Sequence, residues 1–250
     1  MKARMQTDTA GAAHTETARS IFVSASADPR LTDCLKGRGF DVRRVHTSDC
    51  VSAPVSDHPD MFMCKLGADE GPVIMWGRLA ETLAPCTGAP DRLILSWHDP
   101  LMRYPKDIAY NAACTGRFLI HNLKHTAPDI LSEAEKMGVE FVDVAQGYAK
   151  CSIVIVDETS IITYDEGIAR ACSRCPGLDV LLVSPGHVLL EGYDTGFIGG
   201  TSGRIGDEVI FSGDLSAHPD FHDIISFIED RGLGCRWFSG FPLTDIGSII

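Results

Sequence analysis

A unit of helix, strand and hairpin recurs along this chain of 250 residues, and the repeat limits the possible folds more than any other feature. The hairpins begin about 45 residues apart, a spacing that is typical of blade and solenoid repeats. Hairpins are predicted at 60–65 with 73–76, 107–113 with 117–121, 153–156 with 161–164, and 195–200 with 209–212. A fifth hairpin position has only one strand, 245–250, while the strand at 20–24 has no partner. Pairing these two strands would remove both exposed edges, so the sequence predicts a closed ring of five units.

The alternation of helices and strands predicts an α/β fold. Helices are predicted at 29–36, 128–137, 166–175 and 219–231, and further strands at 40–46, 93–97, 139–144, 179–184 and 235–238. The helix at 128–137 has Pro128 in its first turn and Gly138 after its end, as helices commonly do. Residues 1–18 are polar and small and lack the apolar core of a signal peptide, so we expect a disordered tail there. Residues 19–250 are expected to form a single domain.

Acidic side chains and one thiol recur at the starts of the hairpins. The equivalent positions are Asp60, Asp107, Cys151, Asp194 and Asp245, with Thr195 as the alternative to Asp194 if the register shifts by one residue. Equivalent positions of a closed ring lie around its axis, so we expect these side chains to meet at one mouth of a central channel. The alternative is that each aspartate caps a turn, as aspartate commonly does.

The charge and the cysteine content narrow the possible partners. A net charge of −12 would repel nucleic acids and suits a small cationic ligand. The chain has no apolar run long enough for a membrane span. Its nine cysteines have no disulfide framework spacing, which favours reduced thiols in a cytoplasm. Cys172 and Cys175 form a lone CxxC without a second pair, so we expect no metal and no cofactor.

The repeat and its motifs resemble the pentein fold, the α/β propeller of the guanidino-group modifying enzymes. The resemblance rests on the five units that close head to tail and on His58-Pro59-Asp60 at one hairpin start, and it covers roughly residues 20 to 250. Three further segments mark an uncharacterised branch of that fold: 147–152 (GYAKCS), 196–200 (GFIGG) and 245–248 (DIGS).

The resemblance implies roles for particular residues. In enzymes of this fold a cysteine attacks the guanidinium carbon, a histidine transfers protons, and carboxylates hold the cationic nitrogens. The matching residues are Cys151 as nucleophile, His58 as acid and base with Asp60, and Asp107, Asp194, Asp245, Lys150 and Thr195 as substrate-binding residues. The family's cysteine usually lies in the last repeat, where this chain has Asp245, with Cys235 on the preceding strand. However, Cys151 lies two units after His58, the step found in the peptidylarginine deiminases, so the order looks like a circular shift.

The resulting expectation is a thiol-dependent hydrolase or amidinotransferase that acts on a guanidine or amidine carbon–nitrogen bond. Lys150 or a cationic substrate would favour the Cys151 thiolate, whereas carboxylates alone would raise the thiol pKa. Two alternatives stay open. In the first, Cys151 is a small buried hydrophobic residue. In the second, the ring is a non-catalytic module that binds a protein or a ligand, like the translation factor of this fold. His187 is the second choice for the proton carrier.

Overall fold

The structure, a computed structural model, describes residues 19–83 and 92–250, so the tail predicted at 1–18 lies outside the described residues. In chain order the elements begin with β1 (Ser20–Ser24), α1 (Pro29–Gly37), β2 (Asp41–Val45), β3 (Met63–Lys65), β4 (Val73–Trp76), α2 (Gly77–Thr82), β5 (Leu93–Ser96), β6 (Ala113–Cys114) and β7 (Phe118–His121). They continue with α3 (Pro128–Lys136), β8 (Glu140–Asp143), α4 (Ala149–Ser152), β9 (Ile153–Asp157), β10 (Ser160–Thr163), α5 (Glu166–Cys172), β11 (Asp179–Leu182), β12 (Ser202–Ile205), β13 (Glu208–Phe211), α6 (Phe221–Glu229) and β14 (Gly234–Arg236).

The described strands form five small sheets, and four of them share one arrangement. An antiparallel hairpin is followed by a helix and then by a strand that pairs in parallel with the second hairpin strand. The sheets are β3-β4-β5, β6-β7-β8, β9-β10-β11 and β12-β13-β14. The prediction of a mixed α/β fold with repeated hairpins is confirmed, but each helix and strand belongs with the hairpin before it, not with the hairpin after it.

The fifth sheet combines the two ends of the described chain. β1 and β2 pair in parallel, and α1 connects them. The Phe22 N–H donates to the Ile250 carbonyl at 2.6 Å, and the Ile250 N–H donates to the Phe22 carbonyl at 3.1 Å. Such an exchange of two bonds between one pair of residues is the pattern of antiparallel neighbours. The last residues therefore lie beside β1 as the first hairpin strand lies beside the second in the other sheets.

Both faces of the hairpin of β9 and β10 are covered, which explains the continuous apolar runs of these two strands. In the sheet of β9 and β10, Ile153 and Ile155 belong to one apolar cluster while Val154 and Val156 belong to another. A strand that is covered on one face only would alternate apolar and polar residues. The four β-branched residues of β9 therefore place this strand between two layers of the core.

Four predicted strands are wrong in their extent. The strand predicted at 60–65 begins only at Met63, because Pro59–Met61 forms a 3₁₀ helix. The segment 195–200 is not a strand, because a 3₁₀ turn at Gly199–Thr201 precedes β12. A Cβ on Gly199 would lie 2.4 Å from the backbone of Ile153, so only glycine fits this close approach. The segment 107–112 forms turns that leave only the two residues of β6. The segment 245–250 is interrupted by Gly247 and Ser248, whose φ angles are +66° and +73°.

Among the described residues, no helix is both long enough and apolar enough to cross a membrane.

Candidate active site

Cys151 lies in the single turn of α4, immediately before β9. Its backbone N–H donates to Asn111 Oδ1 at 3.1 Å, and Asn111 Nδ2 donates to the Cys151 Sγ at 3.1 Å. The thiol lies 3.2 Å from Asp60 Oδ2, to which it donates. Cys151 is only 3% exposed, and Asn111 and Asp60 are both fully buried. The thiol therefore shares a hydrogen bond with a buried carboxylate.

Asp60 lies in the short 3₁₀ helix Pro59–Met61, which follows His58 and precedes β3. Its backbone N–H donates to the Gly247 carbonyl at 3.1 Å, which ties this turn to the C-terminal segment. Asp60 Oδ2 also accepts a hydrogen bond from the Ser248 hydroxyl at 2.7 Å. Asp60 Oδ1 is buried and has no hydrogen-bond partner among the described residues. One oxygen of this fully buried carboxylate is thus held in place, while the other has no partner within the described residues.

His58 and Asp245 lie side by side at the same site. Their Nδ1 and Oδ1 atoms are 3.8 Å apart, and His58 Nδ1 makes no hydrogen bond within the described parts of the chain. The two oxygens of Asp245 accept from the backbone N–H groups of Gly247 at 3.0 Å and Phe197 at 2.9 Å. Burial raises the pKa of Asp245, while the nearby His58 acts in the opposite direction.

Gly247 makes this approach of the C-terminal segment to His58 possible. A Cβ at position 247 would lie 2.2 Å from the Cβ of His58. The glycine also has a positive φ of +66°, which side chains rarely adopt. Any larger residue would push the segment 245–248 away from His58 and Asp60.

A cavity of about 80 Å³ opens beside the thiol. Its polar lining comes from Cys151, His58, Asp245 and Thr195. The rest of its wall is apolar and aromatic, from Val55, Met61, Tyr148, Leu190, Tyr193 and Phe197. A small flat group with a polar end fits such a lining. Four of the residues predicted from the sequence therefore border one cavity.

The other predicted residues do not line this cavity. Asp60 is fully buried and lies against the Cys151 thiol. Asp107 is buried behind the cavity wall, where its Oδ2 accepts from the Tyr148 hydroxyl at 2.7 Å and its Oδ1 has no partner among the described residues. Asp194 is exposed and does not line the cavity. Lys150 points away from the cavity, and its Nζ donates to the Ser248 hydroxyl at 2.8 Å and to the Gly199 carbonyl at 3.4 Å.

Two residues of this network were not predicted from the sequence. Asn111, not Asp107, contacts Cys151, because the turns at 107–112 carry the chain several residues beyond Asp107 before β6 begins. Ser248 joins Lys150 to Asp60. The sequence signal for Asn111 is its place two residues before β6, the same place that Cys151 has before β9.

Burial and charge set the state of the thiol. Burial raises the pKa of Cys151 well above its ordinary value, and the Asp60 and Asp245 carboxylates raise it further. The hydrogen bond from Asn111 acts in the opposite direction. The thiol is therefore protonated near neutral pH, and a cation bound beside it would favour the thiolate.

The remaining candidates lie outside this site. The His187 ring packs against His218 with ring centroids 5.6 Å apart, and neither residue lines the cavity. Cys64 is buried, and its thiol donates to the Ala112 carbonyl at 3.3 Å. Cys172 and Cys175 are both free thiols. Within residues 19–83 and 92–250, no cluster of three or more His, Cys, Asp or Glu side chains could hold a metal ion.

Comparison with known proteins gives a family and a fold. A family described as a family of unknown function (DUF6873) matches residues 22–250. No curated protein matches the sequence. The chain is similar in structure to SxtG, an amidinotransferase of the saxitoxin biosynthetic pathway from Microseira wollei, at 10% identity over 91% of this chain and 89% of that chain, with a TM-score of 0.51. It also resembles C. jejuni agmatine deiminase, at 9% identity over 88% of this chain and 86% of that chain, with a TM-score of 0.49.

The likeness to the amidinotransferase shows that the two chains share a mixed α/β fold, in agreement with the resemblance that the sequence motifs indicated. At 10% identity the likeness concerns the fold alone, so any activity has to be argued from the site itself.

Proposed function

This chain belongs to a family of unknown function (DUF6873), and from its site we propose that it is a cysteine-dependent hydrolase or amidinotransferase. Its substrate is a small cationic molecule, and the bond that reacts is a guanidine or amidine carbon–nitrogen bond. Cys151 is the nucleophile, His58 transfers protons, and Asp60 and Asp245 hold the cationic group. Asp107 supports Tyr148 at the wall, and Thr195 borders the cavity.

One observation carries the proposal. Buried polar atoms without a hydrogen-bond partner are rare in folded proteins and call for an explanation. Among the described residues five side-chain atoms are of this kind, and three of them belong to His58, Asp60 and Asp107. The unpartnered oxygen of Asp60 belongs to the carboxylate that accepts from the Cys151 thiol, and it suits a ligand that brings N–H donors. A guanidinium presents a planar set of such donors, and its charge matches the carboxylates.

The proposed reaction begins when the cation binds and the Cys151 thiol loses its proton to His58. The thiolate attacks the guanidine carbon, a C–S bond forms, and the electron pair of the C=N bond moves to nitrogen. His58 then donates its proton to the departing nitrogen, the C–N bond breaks, and ammonia or an amine leaves. An amidino group remains on Cys151.

The second half of the reaction releases that group. His58 takes a proton from water, the oxygen attacks the amidino carbon, and a C–O bond forms. The C–S bond breaks and its electron pair returns to sulfur, while the new hydroxyl loses its proton to solvent water and becomes the C=O of the ureido product that leaves. An amine that takes the place of water gives amidino transfer instead. The proton held by His58 finally returns to the thiolate, which restores the resting site.

The proposal includes a closed five-bladed ring, a pentein α/β propeller in a single domain at 19–250. Contacts between neighbouring sheets support it. The Ile249 N–H donates to the Ser202 carbonyl at 3.0 Å, Leu66 forms a parallel bridge with Cys114, and Phe22 pairs with Ile250. A closed ring would explain why segments from different sheets converge on Asp60.

One observation favours a second candidate, a non-catalytic ring that binds a small cation. The Cys151 thiol already has two side-chain partners, Asn111 and Asp60, and is deeply buried. A thiol that is only structural could have the same contacts.

A turnover assay separates the two candidates. The protein is incubated with a panel of alkylguanidines and amidines, with and without glycine as an amidino acceptor, and released ammonia or amine is measured. The proposal expects turnover that Cys151→Ala abolishes and Cys175→Ala, a partly exposed cysteine outside the site, preserves. Turnover that survives in Cys151→Ala would exclude the proposed nucleophile. Binding of the same compounds without any turnover would favour the non-catalytic candidate.

A further inference from the structure

A chain of hydrogen bonds runs behind the thiol, and two of its members, Lys150 and Ser248, take no part in the proposed reaction. Lys150 Nζ donates to the Ser248 hydroxyl at 2.8 Å, and that hydroxyl donates to Asp60 Oδ2 at 2.7 Å. The Cys151 thiol donates to the same oxygen at 3.2 Å. All four side chains are buried. A lysine is therefore connected to the thiol through a serine and a carboxylate.

Ser248 has an unusual backbone. Its φ of +73° lies in the left-handed region, and among the described residues only one other residue that is not glycine, His187, has a positive φ. Glycine would adopt this conformation without strain, so the serine is not the residue that the backbone alone favours. A strained conformation that persists in a fully buried site suggests a role for the side chain. The only polar group that this side chain supplies is the hydroxyl between Lys150 and Asp60.

We propose that Lys150 and Ser248 are positioning residues that orient the Asp60 carboxylate and balance its charge, so that Asp60 Oδ1 remains free for the cationic substrate. The inference rests on the proposed function in one respect, the role of Asp60 toward a substrate. It gives Lys150 a different task from the one that the sequence suggested, because Lys150 acts through Ser248 and not on the substrate.

Lys150 reaches Asp60 only through Ser248, and this indirect contact leaves Asp60 able to bind a cation. A lysine in direct contact with Asp60 would occupy the carboxylate and compete with the cation that the site has to bind. Ser248 instead passes one hydrogen bond to Oδ2 and leaves Oδ1 without a partner. Burial lowers the pKa of Lys150, and Asp60 is the first of the groups that oppose this change. Lys150 and Asp60 therefore stabilise each other's charge across the hydroxyl.

Lys150 also faces a second cavity. This cavity, of about 20 Å³, is lined by Lys150 together with Cys64, Ser202 and Arg204, and it is separate from the one that Cys151 lines. The hydrogen-bonded chain thus spans the wall between the two cavities. Because Lys150 and Ser248 lie behind this wall, they can act on the Cys151 thiol without blocking the cavity through which a substrate reaches it.

The test measures the alkylation rate of Cys151 by 2-chloroacetamide as a function of pH. This reagent is neutral, so the measurement does not depend on whether the protein turns over a guanidine. The variants are Lys150→Met, Ser248→Ala and Ser248→Gly. Each should raise the apparent pKa of Cys151 and slow its alkylation at pH 7 several-fold, because Asp60 loses the positive charge or the hydrogen bond that balances it.

Comparing Ser248→Ala with Ser248→Gly separates the effect of the lost hydrogen bond to Asp60 from an effect on the stability of the fold. Both variants lose the hydroxyl, but glycine relieves the strained φ while alanine keeps it. We expect the glycine variant to be the more stable in urea unfolding, with the same slow alkylation of Cys151 in both. If alkylation follows stability instead, or if neither variant changes the pH profile, the proposal is wrong.

Two matched controls complete the design. Ser212→Ala removes a buried hydroxyl that has no hydrogen-bond partner in the described chain, and Lys136→Met removes an exposed lysine on α3. Neither should change the pH profile of Cys151, and a change of similar size in either would overturn the inference. If the turnover assay fails but the Ser248 variants alter the pH profile of Cys151, the proposed function is wrong. The inference that Lys150 and Ser248 orient Asp60 is then retained.

Discussion

Replacing Asp60 with asparagine should make Cys151 react faster with a neutral reagent and lose its preference for a cationic one. The thiol lies 3.2 Å from Asp60 Oδ2. At that distance two unit charges repel each other by about 5 kcal/mol if the effective dielectric constant is about 20. Asn111 and Lys150 offset part of this repulsion, so about 1.4 kcal/mol is a cautious lower figure, and it corresponds to about ten times more thiolate at pH 7. A less basic thiolate is also a weaker nucleophile, which leaves a net acceleration of at least about threefold.

The assay compares 2-chloroacetamide with 2-chloroacetamidine, which differ in charge but share the leaving group. Cys151 is quantified by peptide mapping after short labelling times at pH 7. Asp60→Asn should accelerate the neutral reagent and reduce the ratio of the amidine rate to the amide rate. Asp33→Asn, an exposed position on α1, serves as the control and should change neither. A slower neutral reaction in Asp60→Asn would refute the reasoning, because it would mean that the carboxylate does not raise the pKa of the thiol.

Two further predictions concern stability. Gly247→Ala should lower the free energy of unfolding by about 3 kcal/mol, because the added Cβ meets His58 and the positive φ disfavours alanine. Gly39→Ala is the control: its φ is +88° but no atom lies within 4 Å of the added Cβ, so it should lower the free energy of unfolding by only about 1 kcal/mol. Equal losses in urea unfolding would contradict this account of the site's packing. Burial lowers the pKa of His121 from 6.5 to about 4, so the unfolded chain binds the proton more tightly than the folded chain does. The free energy of unfolding should therefore fall by roughly 3 kcal/mol as the pH decreases from about 6.5 to 4. His121→Gln should flatten that part of the pH–stability curve, and an unchanged slope would mean that His121 is not buried in its neutral form.

The sequence predicted which residues meet at the site better than it predicted the contacts that they make. His58, Asp60, Cys151 and Asp245 come together at one site. His58 and Asp60 precede β3, Cys151 precedes β9, and Asp245 precedes the last residues, which pair with β1. That position follows from the repeat, which can be recognised from the spacing of apolar runs. The same repeat positions predict Asp107 beside these residues, but Asp107 accepts a hydrogen bond from Tyr148 instead.

The errors arise where the backbone leaves regular structure. The turns at 107–112 bring Asn111, not Asp107, to Cys151, and their length depends on tertiary contacts that a residue pattern does not encode. The positive φ of Ser248 is equally invisible in the sequence, since serine gives no local signal for it. Side-chain direction is a further example, because Lys150 neighbours Cys151 in sequence yet points to the opposite side of the cavity wall.

The central claim is that Cys151 is a thiol activated by a bound cation, and the ratio of the two alkylation rates in the unaltered protein tests it most directly. Cys175, which is partly exposed and outside the site, provides an internal reference in the same sample. The account predicts that 2-chloroacetamidine alkylates Cys151 at least about ten times faster than 2-chloroacetamide, relative to the same ratio at Cys175. A ratio at Cys151 that equals or falls below the ratio at Cys175 would contradict the account.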